Sequence, residues 1–231
     1  MSEADRTAHV LALVLDRSPR AASELAGAVA ATEPEVTAAL GALARHGLVT
    51  WDGVHAAPGP RLRGAGKDLA GLAGPAMRRL ADETGETVNL MVRTSEGAEA
   101  VAQAEGRHVL GASNWVGRPV PNHCSAAGKV FLAYGADAPS GPLARLTART
   151  IVHPDELARD LAQVRAQGFA TIVDELEMGL AAVAAPIRDG DGTVVGALSV
   201  AGPTARLGPS RLAVAGRLAV EQADEVSAAL A

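Results

Sequence analysis

The residue types richest in chemistry are His123 and Cys124, which stand side by side in the chain. A thiol nucleophile needs an imidazole within hydrogen-bond reach of its sulfur. Neighbours in an extended segment point in opposite directions, so this pair does not form such a dyad. Cys124 is the single cysteine, which excludes an intramolecular disulfide and a four-cysteine zinc site. It reads as a small buried apolar residue. His123, His153 and Asp155 lack metal-ligand spacing. The run Asp189-Gly190-Asp191-Gly192 begins like a calcium loop but lacks the glutamate such a loop needs further on, so a hairpin turn explains it. Asn89 lies in the middle of an apolar strand and is either a pocket donor or a satisfied core amide. Glu221, Asp224 and Glu225 read as a solvated face of the last helix. No catalytic constellation emerges, so neither an enzyme nor a metal or cofactor is expected.

The elements that position these residues have two textures. The first third reads as short helices. Residues 7–16 carry Val10, Leu11, Leu13 and Val14 at helical spacing before Ser18-Pro19, and residues 23–30 carry Leu25 and Val29. Thr32-Glu33-Pro34-Glu35 is a capping box with proline in the first turn. Val36, Leu40 and Leu43 follow as one apolar face, and Gly47 ends the helix. Residues 48–51 and 54–56 form a hairpin around Asp52-Gly53. Three helices and a hairpin outline either a winged helix-turn-helix or another small three-helix bundle.

Pro58-Gly59-Pro60 breaks the chain, and helical spacing resumes through Leu62, Leu69, Leu72, Met77 and Leu80. Pro75 is expected to split this stretch into a linker helix and the first helix of the next domain. Beyond Gly85, strands are expected at 87–94, 98–104, 109–114, 169–173, 181–188 and 194–201, with the turn Ser95-Glu96-Gly97 between the first two. Helices are expected at 125–134, at 154–167 with Gly168 as its stop, and at 208–230. Such a mixture makes an α+β domain.

Composition bounds the function. Hydrophobic residues are 48% of the 231, and aromatics 2%, so the core is built from Ala, Val and Leu. No stretch approaches the roughly 20 apolar residues of a membrane span, and the polar start at residues 1–6 leads into no apolar segment. A cytoplasmic protein without membrane contact is expected. Net charge is −5, and residues 1–67 hold seven Lys or Arg against seven Asp or Glu. A neutral first third gives little of the phosphate neutralisation that supplies much of DNA affinity.

With these pieces in order, the chain resembles the IclR family of bacterial regulators over nearly its whole length. The words that carry the resemblance are His123-Cys124-Ser125-Ala126-Ala127-Gly128-Lys129 and Val164-Arg165-Ala166-Gln167-Gly168-Phe169-Ala170. Gly179 with Val183-Ala184-Ala185-Pro186, and Ala197-Leu198-Ser199-Val200-Ala201-Gly202-Pro203, complete the set. Each is weak alone, and their shared order is specific. The resemblance implies an N-terminal all-α winged helix-turn-helix domain over 1–60, a linker helix over 61–74, and a C-terminal α+β GAF-like effector-binding and oligomerisation domain over 75–231. It implies operator DNA, a small-molecule effector, and a homodimer or homotetramer. An uncovered apolar stripe at Leu62, Leu69 and Leu72 points to a partner as well.

Two departures from the family pattern matter. The family recognition helix usually begins with Ser or Thr and carries a His-Arg pair. Matched on Gly47 and Leu40, those positions here are Pro34, Glu35, Thr37 and Ala38. DNA contacts are therefore expected from Thr37, Arg45, Arg61 and Arg63. The alternative is an IclR-shaped sensor or scaffold with weakened or lost specific DNA binding. In the family pocket, backbone N–H groups at the positions of Ala126 and Ala127 meet the effector. An acidic residue, a cysteine and two serines supply side-chain polarity, and here they read Ile172, Ala182, Ser199 and Ala201. The expected effector site is Asn89, Ala126, Ala127, Ile172, Leu180, Ala182, Ser199 and Ala201. Burying polar ligand groups there without partners costs about 1–3 kcal/mol each, so an aromatic or branched aliphatic carboxylate is expected instead of glyoxylate or pyruvate.

Overall fold

The computed structural model describes residues 2–16, 20–63, 69–94, 97–108, 115–135 and 141–231. Its contacts divide it into two units, Met1–Gly66 and Lys67–Ala231. In the first, α1 (Glu3–Asp16), α2 (Ala22–Ala28) and α3 (Glu33–Arg45) pack around Val10, Val14, Leu25, Val36 and Leu40. The start of α3 follows from Thr32 and Glu35, whose carboxylate accepts the Thr32 N–H at 2.9 Å and its hydroxyl at 2.8 Å. The unit is not all-α: β1 (Arg20–Ala21), β2 (Val49–Trp51) and β3 (His55–Pro58) form an antiparallel sheet in the order β1-β3-β2. The short β1 carries no periodic signal in its two residues. The hairpin turn also sits one residue later than expected, with Gly53 and Val54 at its centre. The Asp52 carboxylate draws it there by accepting the Val54 and His55 amides at 2.8 and 2.6 Å, and Gly53 supplies the φ of +96°. A one-turn helix, α4 (Pro60–Arg63), follows.

The second unit is built on one six-stranded antiparallel sheet. Its strands are β4 (Thr87–Arg93), β5 (Ala98–Ala104), β6 (Pro119–Val120), β7 (Ala170–Val173), β8 (Leu180–Arg188) and β9 (Val194–Pro203), in the order β6-β5-β4-β9-β8-β7. Helices α5 (Leu69–Thr84) and α8 (Pro209–Leu230) cover one face. Helix α6 (Ala126–Ala133) covers the other, backed by α7 (Pro154–Gln167), whose stop is Gly168 at φ +84°. The period of two sorts the side chains. Val88, Leu90, Val183, Ile187, Leu198 and Val200 point into the α5/α8 core. Burial of each large apolar side chain contributes about 1.5–3 kcal/mol. Asn89, Met91, Ala182, Ser199 and Ala201, the alternating residues, face the α6 side.

Two expectations are corrected here. Pro75 does not split a helix: α5 runs unbroken from Leu69 to Thr84. Its missing N–H removes one helical bond, while Leu69, Ala73, Ala76, Met77 and Leu80 keep both sides seated in one core. For the same reason the apolar stripe is not bare, since Leu69 is buried and Leu72 packs against that core. The strand expected at 109–114 and the turn residues Ser95 and Glu96 lie outside the described residues. Among the described residues no helix is long and apolar enough to cross a membrane.

Candidate effector pocket

The pocket is built around the first turn of α6. Ser125 is in extended conformation before the helix, and its hydroxyl oxygen accepts the Gly128 N–H at 3.2 Å. The hydroxyl donates to the Pro121 carbonyl at 2.7 Å, which fixes the incoming turn. That turn lies against the helix because Gly128 has no side chain, and a Cβ there would meet Asn122 Cα at 2.3 Å. The amides of Ala126 and Ala127, the first two of the helix, have no helical acceptor. They carry the positive end of the helix and suit an anion.

All eight residues expected at the effector site line one cavity: Asn89, Ala126, Ala127, Ile172, Leu180, Ala182, Ser199 and Ala201. Asn89 and Ser199 face each other across the β4–β9 pair. The Ser199 hydroxyl donates to the Val183 carbonyl at 3.1 Å, so it is already satisfied. Asn89 is different: it is 4% exposed, and its Oδ1 has no hydrogen-bond partner among the described residues. A buried amide oxygen left in this state costs free energy until a donor arrives. The cavity measures about 50 Å³, room for one or two waters at about 30 Å³ each. Sequence reasoning missed Met91, Trp115, Val120, Ser125 and Leu176 in the lining. Met91 and Ser125 were findable, one by period two from Asn89 and the other as the helix cap, whereas Leu176 lies in a loop without periodicity.

A buried charge cluster sits one turn along α6. Lys129 is fully buried, and its Nζ lies 2.7 Å from Glu175 Oε1 and 2.8 Å from Asp160 Oδ2. Burial pushes the Glu175 carboxyl above its ordinary value, and the Lys129 charge only partly opposes this. The Cys124 thiol is pushed up to about 11, first by burial and then by the Glu175 charge. It therefore stays protonated and unreactive, as a structural cysteine does. His123 Nε2 lies 2.9 Å from the Ala144 carbonyl. The signal for the cluster was a lone lysine inside an otherwise apolar helix.

The expected DNA-contact residues do not converge in the same way. Thr37 and Arg45 are exposed on α3, two turns apart. Arg61 is on α4, anchored at the far end of α3 by its N–H to the Gly47 carbonyl at 3.1 Å. The Arg63 side chain lies outside the described residues. Glu35 does not present a free carboxylate, because its Oε1 pairs with Arg6 at 2.8 Å and its Oε2 holds Thr32. The hydrogen bonds from Thr32 hold its pKa below the ordinary value, with the Arg6 charge adding to them. A wider groove of about 570 Å³ runs along α5 and β5, but none of the eight expected residues lines it.

An antiparallel sheet with a two-helix core on one face and a small pocket at a helix start on the other is an α+β half-barrel effector domain. Residues 65–228 match the family described as bacterial transcriptional regulator IclR C-terminal. The HTH-type transcriptional repressor AllR of Klebsiella pneumoniae is 36% identical over 171 residues, which are 71% of this chain and 62% of that protein. The chain thus spans less than two thirds of that relative's length. The C-terminal domain of the Escherichia coli transcriptional regulator KdgR is 30% identical, with a TM-score of 0.62 over 71% of this chain and 98% of that one. The IclR structure of Thermotoga maritima, at 22% identity, has a TM-score of 0.65 over 98% of each chain and shares the fold. The chain belongs to the IclR family of bacterial transcriptional regulators.

Proposed function

We propose that this chain is a ligand-responsive, DNA-binding transcription regulator whose Lys67–Ala231 unit senses a small, apolar carboxylate. One observation carries the reading: the first residues of α6, with uncommitted amides, and Asn89, whose oxygen has no partner among the described residues, line a single, largely apolar cavity. The amides take the carboxylate, and Ile172, Leu180, Ala182 and Ala201 take its aliphatic body. With a cavity near 50 Å³, a short branched acid such as isobutyrate fits this class better than an aromatic one. The Met1–Gly66 unit is the winged helix-turn-helix. In this reading α3 is the recognition helix, β2 and β3 are the wing, and Arg45, Arg61 and Arg63 meet phosphate. The commitment of Glu35 to Thr32 and Arg6 favours DNA binding over the alternative of a sensor or scaffold that has lost it, since the acidic helix start is locally neutralised. Repression, as the AllR relatives are named, and assembly as a homodimer or homotetramer in the cytoplasm belong to the same reading.

A mobility shift with the DNA upstream of the chain's own gene, at two salt concentrations and with and without isobutyrate, tests it. Expected is a shifted complex that isobutyrate weakens or strengthens. Replacing Arg61 and Arg63 with Ala should flatten the salt slope by about one unit per lost phosphate contact. No complex at low salt would leave the sensor alternative standing.

A further inference from the structure

One wall of the cavity, which measures about 50 Å³, is a segment whose middle is thinly anchored. Between β7 and β8 the chain makes a strap over the pocket, with Leu176 and Leu180 as its lining residues. Its first two residues are fastened. The Thr147 hydroxyl donates to the Asp174 carbonyl at 2.5 Å, and the Thr150 hydroxyl donates to the Glu175 carbonyl at 2.8 Å. The Glu175 carboxylate is held by the fully buried Lys129. The middle of the strap is loose. The amides of Leu176, Glu177 and Met178 have no partner among the described residues, and the Met178 side chain is 63% exposed. Beyond them, a Gly179 N–H to Asp174 Oδ1 bond of 2.6 Å and a Leu180 N–H to Glu177 carbonyl bond of 3.2 Å close the turn, and its far end is fastened because the Gly179 and Leu180 carbonyls accept the Thr204 and Asp174 amides at 2.8 Å each. Both ends sit in the left-handed region, Asp174 at φ +59° and Gly179 at φ +86°, where the backbone changes direction sharply.

We propose that residues 176–178 are the door of the pocket, hinged at Glu175 and Gly179, and that Lys129, acting through Glu175, is the positioning residue on which the door hangs. This rests on the effector reading above. Leu176 is the inner leaf: when the turn swings out, the apolar wall over Ala126 and Ala127 is removed and the amides become reachable. Lys129 serves both halves of the site, because it rises from the same helix whose first amides meet the anion. Asp160 on α7 keeps the ammonium paired whether or not the door moves. Between these fastenings the amides of residues 176–178 make no hydrogen bond among the described residues and Glu177 and Met178 are exposed, features of segments that open locally without global unfolding.

Amide hydrogen exchange on the full chain without ligand tests this. In the wild type, the Gly179 and Leu180 amides should exchange about a hundredfold faster than those of Val183 and Ala185 in β8, with little dependence on low urea, as local opening requires. Glu175→Gln leaves Lys129 paired with Asp160 and removes the charge that holds the strap. It should speed exchange at Gly179 and Leu180 about tenfold more, with β8 unchanged. Exchange of Gly179 and Leu180 in step with β8 in the wild type would overturn the door, and that arm stands even if the variant fails to fold. Equal acceleration of strap and β8, or no acceleration at all, would overturn the role of Lys129. Because no ligand is present, an opening strap in a protein that no carboxylate stabilises would count against the effector reading and not against the door.

Discussion

The two faces of the central sheet use the same strands and differ in what they leave behind. On the α5/α8 face the strands contribute Val88, Leu90, Val183, Ile187, Leu198 and Val200, and the large side chains fill the space between the layers. On the α6 face ten of the sixteen buried apolar residues described are alanines, against eight of twenty-four on the other, and the strands there also contribute Asn89 and Ser199. Small side chains against a short helix leave a void, and the polar pair gives that void an orientation. One face is packed for stability and the other is underpacked for binding, so stability and function alternate residue by residue along β4, β8 and β9.

The largest effect that would sharpen this contrast is a deletion on the packed face. Leu198→Ala should cost about 2–5 kcal/mol in urea unfolding, because the side chain is fully buried and its neighbours close the hole only partly. A loss under 1 kcal/mol would break the distinction. On the other face, Ala182→Val adds volume where the cavity can take it, so stability should change by less than about 1 kcal/mol. Stabilisation by isobutyrate should disappear in the same variant, and a retained response would place the ligand elsewhere.

The smallest effect is a pH dependence. Burial holds the Glu175 pKa above its ordinary 4.5, so the folded chain binds that proton more tightly than the unfolded chain does. Its contribution is complete below the ordinary value and is lost as pH rises through the raised one. Wild type should therefore gain stability relative to Glu175→Gln as pH falls toward 4.5. A stability difference that is flat with pH between the two proteins would contradict it.

The pocket lining was legible chiefly through the family resemblance, and through the strand pattern at one residue. Asn89 stood out as a polar residue within an apolar strand, whereas Ala126, Ala127, Ala182, Ser199 and Ala201 came from the family resemblance and fall in the structure on alternating strand positions and behind a serine cap. The resemblance supplied Ile172 as well. What could not be read came from residues far apart in the chain. Lys129 meets Glu175 and Asp160 only once α6, α7 and the β7–β8 strap are assembled, and no local pattern links the three. Pro75 misled because a local rule lost to packing on both sides of it. The DNA-contact residues remained scattered, since single arginines carry no periodic signature.

In the proposed reading, an anionic head group at the start of α6 and an apolar body share the cavity beside Asn89. Thermal shift with isobutyrate against its neutral isostere isobutyramide tests it most directly, since the two differ in charge and scarcely in shape. The carboxylate should raise the melting temperature in proportion to the logarithm of its excess concentration, while the amide should have little effect. Equal stabilisation by both, or stabilisation by the amide alone, would contradict it.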